Sequence, residues 1–186
     1  MKSDIDRWNS KYRSRRFTQD IQPDPILVEH NSLLTGKGCV LDVASGACDN
    51  ALYLAACGYT AFAIDGSYEG LKLGARKAAA NGLDLKCFVA DLDTYPIPQE
   101  LFDVVVVIRY LNRNIIDSVR RSLKQNGLLF FKTFNHRFLD QNSAFPEKYV
   151  LRRGELTDWF SDWVCVDSNE GSQGDESQYY WVGRKS

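Results

Sequence analysis

Between Cys39 and Phe134 the chain alternates short apolar runs with stretches of helical periodicity, and this alternation admits few folds. Strand, helix and strand repeats of this length build a mostly parallel sheet covered by helices. The runs are Cys39–Val43, Thr60–Ile64, Leu85–Val89, Phe102–Ile108 and Leu128–Phe134. Helices are expected over Asn50–Cys57, Ser67–Ala80 and Ile115–Leu123, followed by Gly58, Asn81-Gly82 and Asn126-Gly127 as stop signals. Val104–Val107 is apolar on both faces and belongs in the middle of a covered sheet. After a loop with Pro146 and a short helix over Arg153–Phe160, Trp163–Val166 and Gln178–Val182 read as a hairpin separated by the polar stretch Asp167–Ser177. The expected architecture is α/β, a doubly wound, mostly parallel seven-stranded sheet with a C-terminal antiparallel hairpin.

The first 25 residues stand apart from this pattern. Lys11, Arg13, Arg15 and Arg16 crowd around Trp8, Tyr12 and Phe17, and Pro23-Asp24-Pro25 imposes an extended break. Residues 1–25 are therefore expected to form a helical arm or lid on a single domain that spans 1–186. Lys and Arg number 23 against 24 Asp and Glu, so the chain lacks the basic excess of most nucleic-acid binders. Nucleic acid is an unlikely partner on that count. Five cysteines form an odd set without CxxC spacing, and the N-terminus carries no apolar run, which points to reduced thiols, no metal site and a cytoplasmic location. No stretch approaches the ~20 apolar residues that cross a bilayer. The aromatic run Tyr179-Tyr180-Trp181 is expected to supply either a homodimer interface or an edge strand.

In open α/β sheets ligands bind at the C-terminal ends of the strands. Three consecutive runs here each deliver an acid to that edge: Asp42, then Asp65 in Asp65-Gly66-Ser67, then Asp91 in Asp91-Leu92-Asp93. One such Asp is more often a helix cap or turn former, but three in succession point to a ligand. The turn after the first run, Ala44-Ser45-Gly46-Ala47-Cys48-Asp49, discriminates between cofactors. A dinucleotide needs G-x-G-x-x-G, whereas the corresponding positions are Ala44, Gly46 and Asp49, and an anionic Asp49 at a helix start would repel a pyrophosphate. A cofactor without phosphate, S-adenosylmethionine, suits the acids better. Asp65 is placed to accept both ribose hydroxyls, Asp91 the adenine amino group, and Asp42 lies toward the methionine end.

These segments resemble the class I S-adenosylmethionine-dependent methyltransferases, a Rossmann-like family. The likeness rests on Val40-Leu41-Asp42-Val43-Ala44-Ser45-Gly46, Ala63-Ile64-Asp65, Val89-Ala90-Asp91-Leu92 and Phe102-Asp103-Val104-Val105-Val106-Val107. Trp8 to Tyr12, Tyr110-Leu111-Asn112-Arg113, Gly127 to Phe134 and Tyr149 to Leu156 are similar to the small bacterial tellurite-resistance type. The resemblance implies S-adenosylmethionine as cofactor, held by Asp42, Ala44, Gly46, Asp65, Gly66, Asp91 and Leu92, with Trp8 and Tyr12 closing over it. The usual D-x-G-x-G-x-G turn keeps only Gly46, because Ala44 and Cys48 replace its neighbours. Each replacement adds a Cβ where positive φ is costly.

Methyl transfer needs alignment of two partners more than acid or base help, since the sulfonium already activates the methyl group. Arg109 and Tyr110 end the fourth run, where substrate contacts are expected, and His136 follows the fifth. Arg109 can equally pair with Asp103, Tyr110 can be core, and His136 can be a surface loop residue. His30, in the helix before the first run, reads as structural. The cysteines read as small buried hydrophobes, with Cys48 at a helix start open to a lowered thiol pKa. The function so implied is methyl transfer to a small-molecule nucleophile. The alternatives are a module that binds S-adenosylmethionine or S-adenosylhomocysteine with weak or lost catalysis, and an NAD-type oxidoreductase.

Overall fold

A computed structural model describes residues 2–170 and 176–186. Two compact units divide the chain, one through Pro96 and one from Ile97 onward. The first opens with helix α1 (Lys2–Arg13), continues as extended chain, and turns into the short α2 (Pro25–Glu29). Asp24 caps α2 by accepting from Ile26 N–H at 3.2 Å, and the His30 ring bonds Ile26 O at 2.9 Å, so this imidazole is a structural cap.

Strands β1 (Cys39–Val43), β2 (Thr60–Asp65) and β3 (Leu85–Val89) alternate with helices α3 (Asp49–Ala56) and α4 (Tyr68–Asn81), close to the sequence expectation. β1 pairs in parallel with β2 and β2 with β3, in registers that place Asp42 beside Ala63 and Asp65 beside Val89. Leu52 and Leu54 of α3, Leu71 and Ala78 of α4, and Val40 and Ala63 of the strands are buried and form the core of this unit. Ser67 caps α4 by accepting from Gly70 N–H at 3.1 Å, and Gly82 ends it in the left-handed conformation. The buried Lys77 of α4 gives its ammonium to Asp49 at the start of α3, which also accepts from Gln22 N–H at 3.1 Å. Asp49, expected to repel a pyrophosphate, is thus neutralised by a partner that sequence spacing did not reveal.

The second unit holds β4 (Phe102–Ile108), α5 (Ile116–Ser122), β5 (Leu123–Phe134), α6 (Arg137–Gln141), α7 (Glu155–Trp159), β6 (Val164–Ser168) and β7 (Gln178–Arg184). β4 runs parallel to β5, and β7 lies antiparallel to both β5 and β6. The strands are ordered β3-β2-β1-β4-β5-β7-β6 in one seven-stranded sheet, mostly parallel with an antiparallel end.

Three expectations are corrected here. β5 begins at Leu123, paired with Phe102, rather than at Leu128. Asn126, left-handed at φ 63°, donates to Lys185 O at 3.0 Å, so Asn126-Gly127 makes an irregularity inside the ladder, held by the end of the chain. Tyr179-Tyr180-Trp181 does not form an edge, because β7 lies between β5 and β6. Tyr179 and Trp181 are buried, Trp181 against Phe160 and Trp163, and their rings are spent on the core. Of the cysteines only Cys48 is buried. Cys39, Cys57 and Cys87 are half-buried and Cys165 is exposed. Part of the expected hairpin loop, 171–175, lies outside the described residues. Among the described residues no helix is long and apolar enough to cross a membrane.

Candidate active site

The turn that leaves β1 folds around three left-handed residues, Ala44 (φ 55°), Gly46 (φ 55°) and Cys48 (φ 62°). They fall at alternate positions, where the D-x-G-x-G-x-G pattern has its glycines. For a residue with a Cβ this conformation costs roughly 1–2 kcal/mol. The turn is held in place by backbone bonds from Ser45 N–H to Ile64 O (3.2 Å) and from Cys48 N–H to Ser45 O (2.8 Å).

Asp65 fastens the turn from the end of β2. Its Oδ2 accepts from Gly46 N–H at 2.8 Å and its Oδ1 from Ser67 N–H at 2.6 Å. Burial raises its pKa against the pull of these two bonds. Asp42 lies beneath the turn, only 1% exposed, and accepts from Ala51 N–H at 3.2 Å. Burial pushes its carboxyl up to about 8, opposed by the Ala51 bond and assisted by the charges of Asp65 and Asp49. Burial thus favours its protonated form, and its bond to Ala51 ties the end of β1 to the first turn of α3.

Tyr12 stands over the same turn. A Cβ built on Gly46 would fall 2.1 Å from the Tyr12 hydroxyl oxygen. Burial, and then the charge of Asp65, raise the phenol's pKa. Trp8 stacks on Tyr12 at 5.8 Å between ring centroids and carries the Lys11 ammonium over its face at 4.3 Å. Asn9 locks α1 in place, because its Oδ1 accepts from Ser67 Oγ (2.9 Å) and from Glu69 N–H (3.1 Å) at the start of α4. Ile5 covers Gly66, where an added Cβ would meet it at 3.0 Å. The basic arm thus folds as a helix laid across the end of β2.

Asp91 and Leu92 follow β3. Ala90 N–H bonds Asp65 O at 3.0 Å, which ties this segment to β2. Asp91 is exposed and its Oδ1 accepts from Asp93 N–H at 2.9 Å, while Leu92 is buried. Cys48 corrects its expectation. Its thiol is fully buried and donates to Gly46 O at 3.7 Å. The neighbouring Cys87 thiol and then burial raise its pKa, while that of Cys87 is lowered. A helix start does not favour a thiolate when the group is enclosed beside acids and a second thiol.

The cofactor candidates Asp42, Ala44, Gly46, Asp65, Gly66, Asp91, Leu92, Trp8 and Tyr12 all fall in the first unit. Arg109, Tyr110 and His136 fall in the second. Arg109 is exposed and left-handed at φ 56°, with its N–H on Lys132 O at 2.7 Å. Asp103, the alternative partner considered for Arg109, accepts from Lys124 Nζ at 2.9 Å. Tyr110 accepts from Asn112 Nδ2 at 3.4 Å. His136 is exposed at the head of α6, its ring 6.3 Å from that of Tyr179.

Residues 40–127 match the model of a family described as a methyltransferase domain. The structure of TehB from Haemophilus influenzae superposes with a TM-score of 0.73 at 17% identity, over 98% of this chain and 67% of that one. The chain thus carries a match to a methyltransferase domain over residues 40–127 and shares the fold of TehB. The methyltransferase fold is shared with a geranyl diphosphate methyltransferase in complex with S-adenosylmethionine, at a TM-score of 0.70 and 14% identity, over 87% and 84% of the two chains. A ubiquinone biosynthesis O-methyltransferase of Actinobacillus pleuropneumoniae serotype 5b (strain L20) is 28% identical over 137 residues, 68% of this chain. The chain spans 58% of the length of that relative.

The residues present fit S-adenosylmethionine, with which the geranyl diphosphate methyltransferase is in complex. The three glycine positions keep the left-handed backbone although two carry side chains. Each Asp65 oxygen keeps a lone pair beyond the one N–H that it accepts. Asn9 and Ile5 escaped the sequence reading, since a polar and an apolar residue on an exposed helix carry no motif. Ser67 was legible as a helix start.

Gly46→Ala tests the fit of Tyr12 on the turn. The added Cβ meets the hydroxyl and strains φ, and a loss of about 2 kcal/mol lowers Tm by about 4–8 °C. Thermal melts of Gly46→Ala and of Gly46→Ala with Tyr12→Ala separate the two causes. The second change restores the part due to the clash and leaves the backbone part.

Proposed function

We propose that this chain transfers the methyl group of S-adenosylmethionine to a small-molecule nucleophile. The carrying observation is the turn at 44–48, which keeps left-handed geometry at Ala44 and Cys48 in spite of their side chains and is fastened by Asp65. Strain of this kind persists where surrounding structure enforces it, and it gathers at ligand sites.

In this reading Asp65 accepts the two ribose hydroxyls, Gly66 and Leu92 border the nucleoside, and Asp91 accepts from the adenine amino group. Ala44 and Gly46 bring backbone toward the methionine portion, and Asp42 lies toward the same end, bonded to the start of α3. The bound cofactor supplies a methyl group already activated by its sulfonium. Trp8 and Tyr12 exclude water above it as part of a lid formed by α1. Arg109, Tyr110 and His136 remain the candidates for contact with the acceptor. The O-methyltransferase among the relatives favours an oxygen nucleophile, which loses a proton as it is methylated.

The alternative, a binding module with lost catalysis, is favoured by one observation, the Tyr12 hydroxyl standing against Gly46. Calorimetric titration with S-adenosylhomocysteine, followed by a turnover screen against phenols, thiols and amines, tests both readings. A micromolar ligand at hundredfold excess adds about 2.7 kcal/mol, or about 5–11 °C in Tm. Absence of heat and of a Tm shift with either form of the cofactor overturns the proposal, and binding without any turnover leaves the module.

A further inference from the structure

The outer side of the arm makes a second candidate site with α4. Tyr12, Arg13, Arg15, Glu69, Lys72 and Arg76 line a groove there of about 190 Å3. Four cations face one carboxylate. Glu69 is shared by Arg13 (3.3 Å) and, more distantly, Lys72 (3.9 Å). Arg15 and Arg76 have no carboxylate partner among the described residues, and the Arg76 guanidinium lies 4.1 Å over the Phe17 ring. The cations come from two elements, Arg13 and Arg15 from the end of the arm and Lys72 and Arg76 from α4. The groove also touches Tyr12, whose hydroxyl meets the strand-end turn on the other side.

We propose that this groove binds a phosphate-bearing small molecule, which bridges Arg13 and Arg15 to Lys72 and Arg76 and so holds the arm down on the turn. Guanidinium forks match the oxygens of a phosphate, and a compact dianion or trianion offsets several cations where a single carboxylate offsets one. A ligand that contacts both elements binds only when they are together, so its binding energy favours the docked arm. By linkage it then tightens any ligand retained beneath Tyr12. This coupling rests on the cofactor site proposed above, whereas occupation of the groove does not. A net charge of -1 and a groove confined to two elements favour a small anion over an RNA strand.

Inorganic pyrophosphate serves as the probe, with sodium chloride at matched ionic strength as control and a single-stranded RNA as the competing ligand. At ten times its dissociation constant pyrophosphate is expected to raise Tm by about 3–5 °C without any cofactor present. It is also expected to tighten S-adenosylhomocysteine by about fivefold. Arg15→Gln combined with Lys72→Gln, two exposed positions, is expected to leave the Tm in buffer nearly unchanged and to abolish both responses. An equal pyrophosphate response in that variant overturns the proposal, as does equal stabilisation by the salt control, or binding of the RNA without binding of pyrophosphate. Stabilisation without a change in S-adenosylhomocysteine affinity overturns the latch. If S-adenosylhomocysteine gives no heat under any condition, the cofactor site fails, and the pyrophosphate shift still decides the groove.

Discussion

Asp42→Asn is expected to raise stability at pH 8 and to remove most of the dependence of stability on pH between about 4 and 8. The carboxyl is buried beneath the strand-end turn and its pKa is raised from 3.8 to about 8 in the folded chain. Between those values the native state keeps a proton that the unfolded state has lost, so stability falls as pH rises through this window. The contribution is fully present below the unfolded value and is gone once pH passes the folded one. Four units correspond to an upper limit of about 5 kcal/mol, and local relaxation at a buried site reduces it. A third of that amount still moves Tm by about 3–7 °C for a chain of this size. Asparagine keeps an oxygen for Ala51 N–H and cannot ionise. Urea melts of both proteins at a series of pH values measure the effect, and parallel curves for parent and variant would show that Asp42 titrates normally. A gain in stability accompanied by weaker cofactor binding would mark Asp42 as a residue kept for function at a cost in stability.

The first unit was largely legible in the sequence because its signals are local. β1 and β3 match the apolar runs at both ends, and Ser67 and Gly82 set the limits of α4 through capping chemistry. The strand-end acids were legible for the same reason, since each follows a run directly. What escaped depends on contacts between distant segments. Asn9 reaches the start of α4, Lys77 neutralises Asp49, and the end of the chain draws Asn126 into the β5 ladder. None of these pairs has a characteristic spacing. The aromatic run in β7 was misplaced because aromatic content does not tell an edge strand from an interior one. Only pairing on both sides decides that. The Cys48 thiol departs from its expected lowered pKa for a related reason, because burial and a second sulfur outweigh a helix start.

Asp65→Ala is expected to weaken S-adenosylhomocysteine binding by about 100- to 1000-fold. Two hydroxyl bonds to a carboxylate are worth about 3–5 kcal/mol together. The same oxygens hold Gly46 N–H and Ser67 N–H, so the alanine also loosens the turn and the start of α4. Asp65→Asn keeps one acceptor and turns its NH2 against the other backbone N–H, so it is expected to lose about tenfold in affinity and to lower Tm by less than the alanine does. A third readout comes from Asp42. The Asp65 charge helps to raise the Asp42 pKa, so its removal shifts the pH-dependent loss of stability to lower pH. If Asp65→Ala binds S-adenosylhomocysteine as the parent does, while the Asp42 transition moves as expected, then Asp65 serves the turn alone and the ribose is held elsewhere. Loss of affinity together with that movement places both roles on one carboxylate. Economy of this kind is available because the acid at the end of β2 faces the turn at the end of β1 across a parallel register, so a single side chain can fasten the backbone of one strand's turn and present its remaining lone pairs to a ligand above.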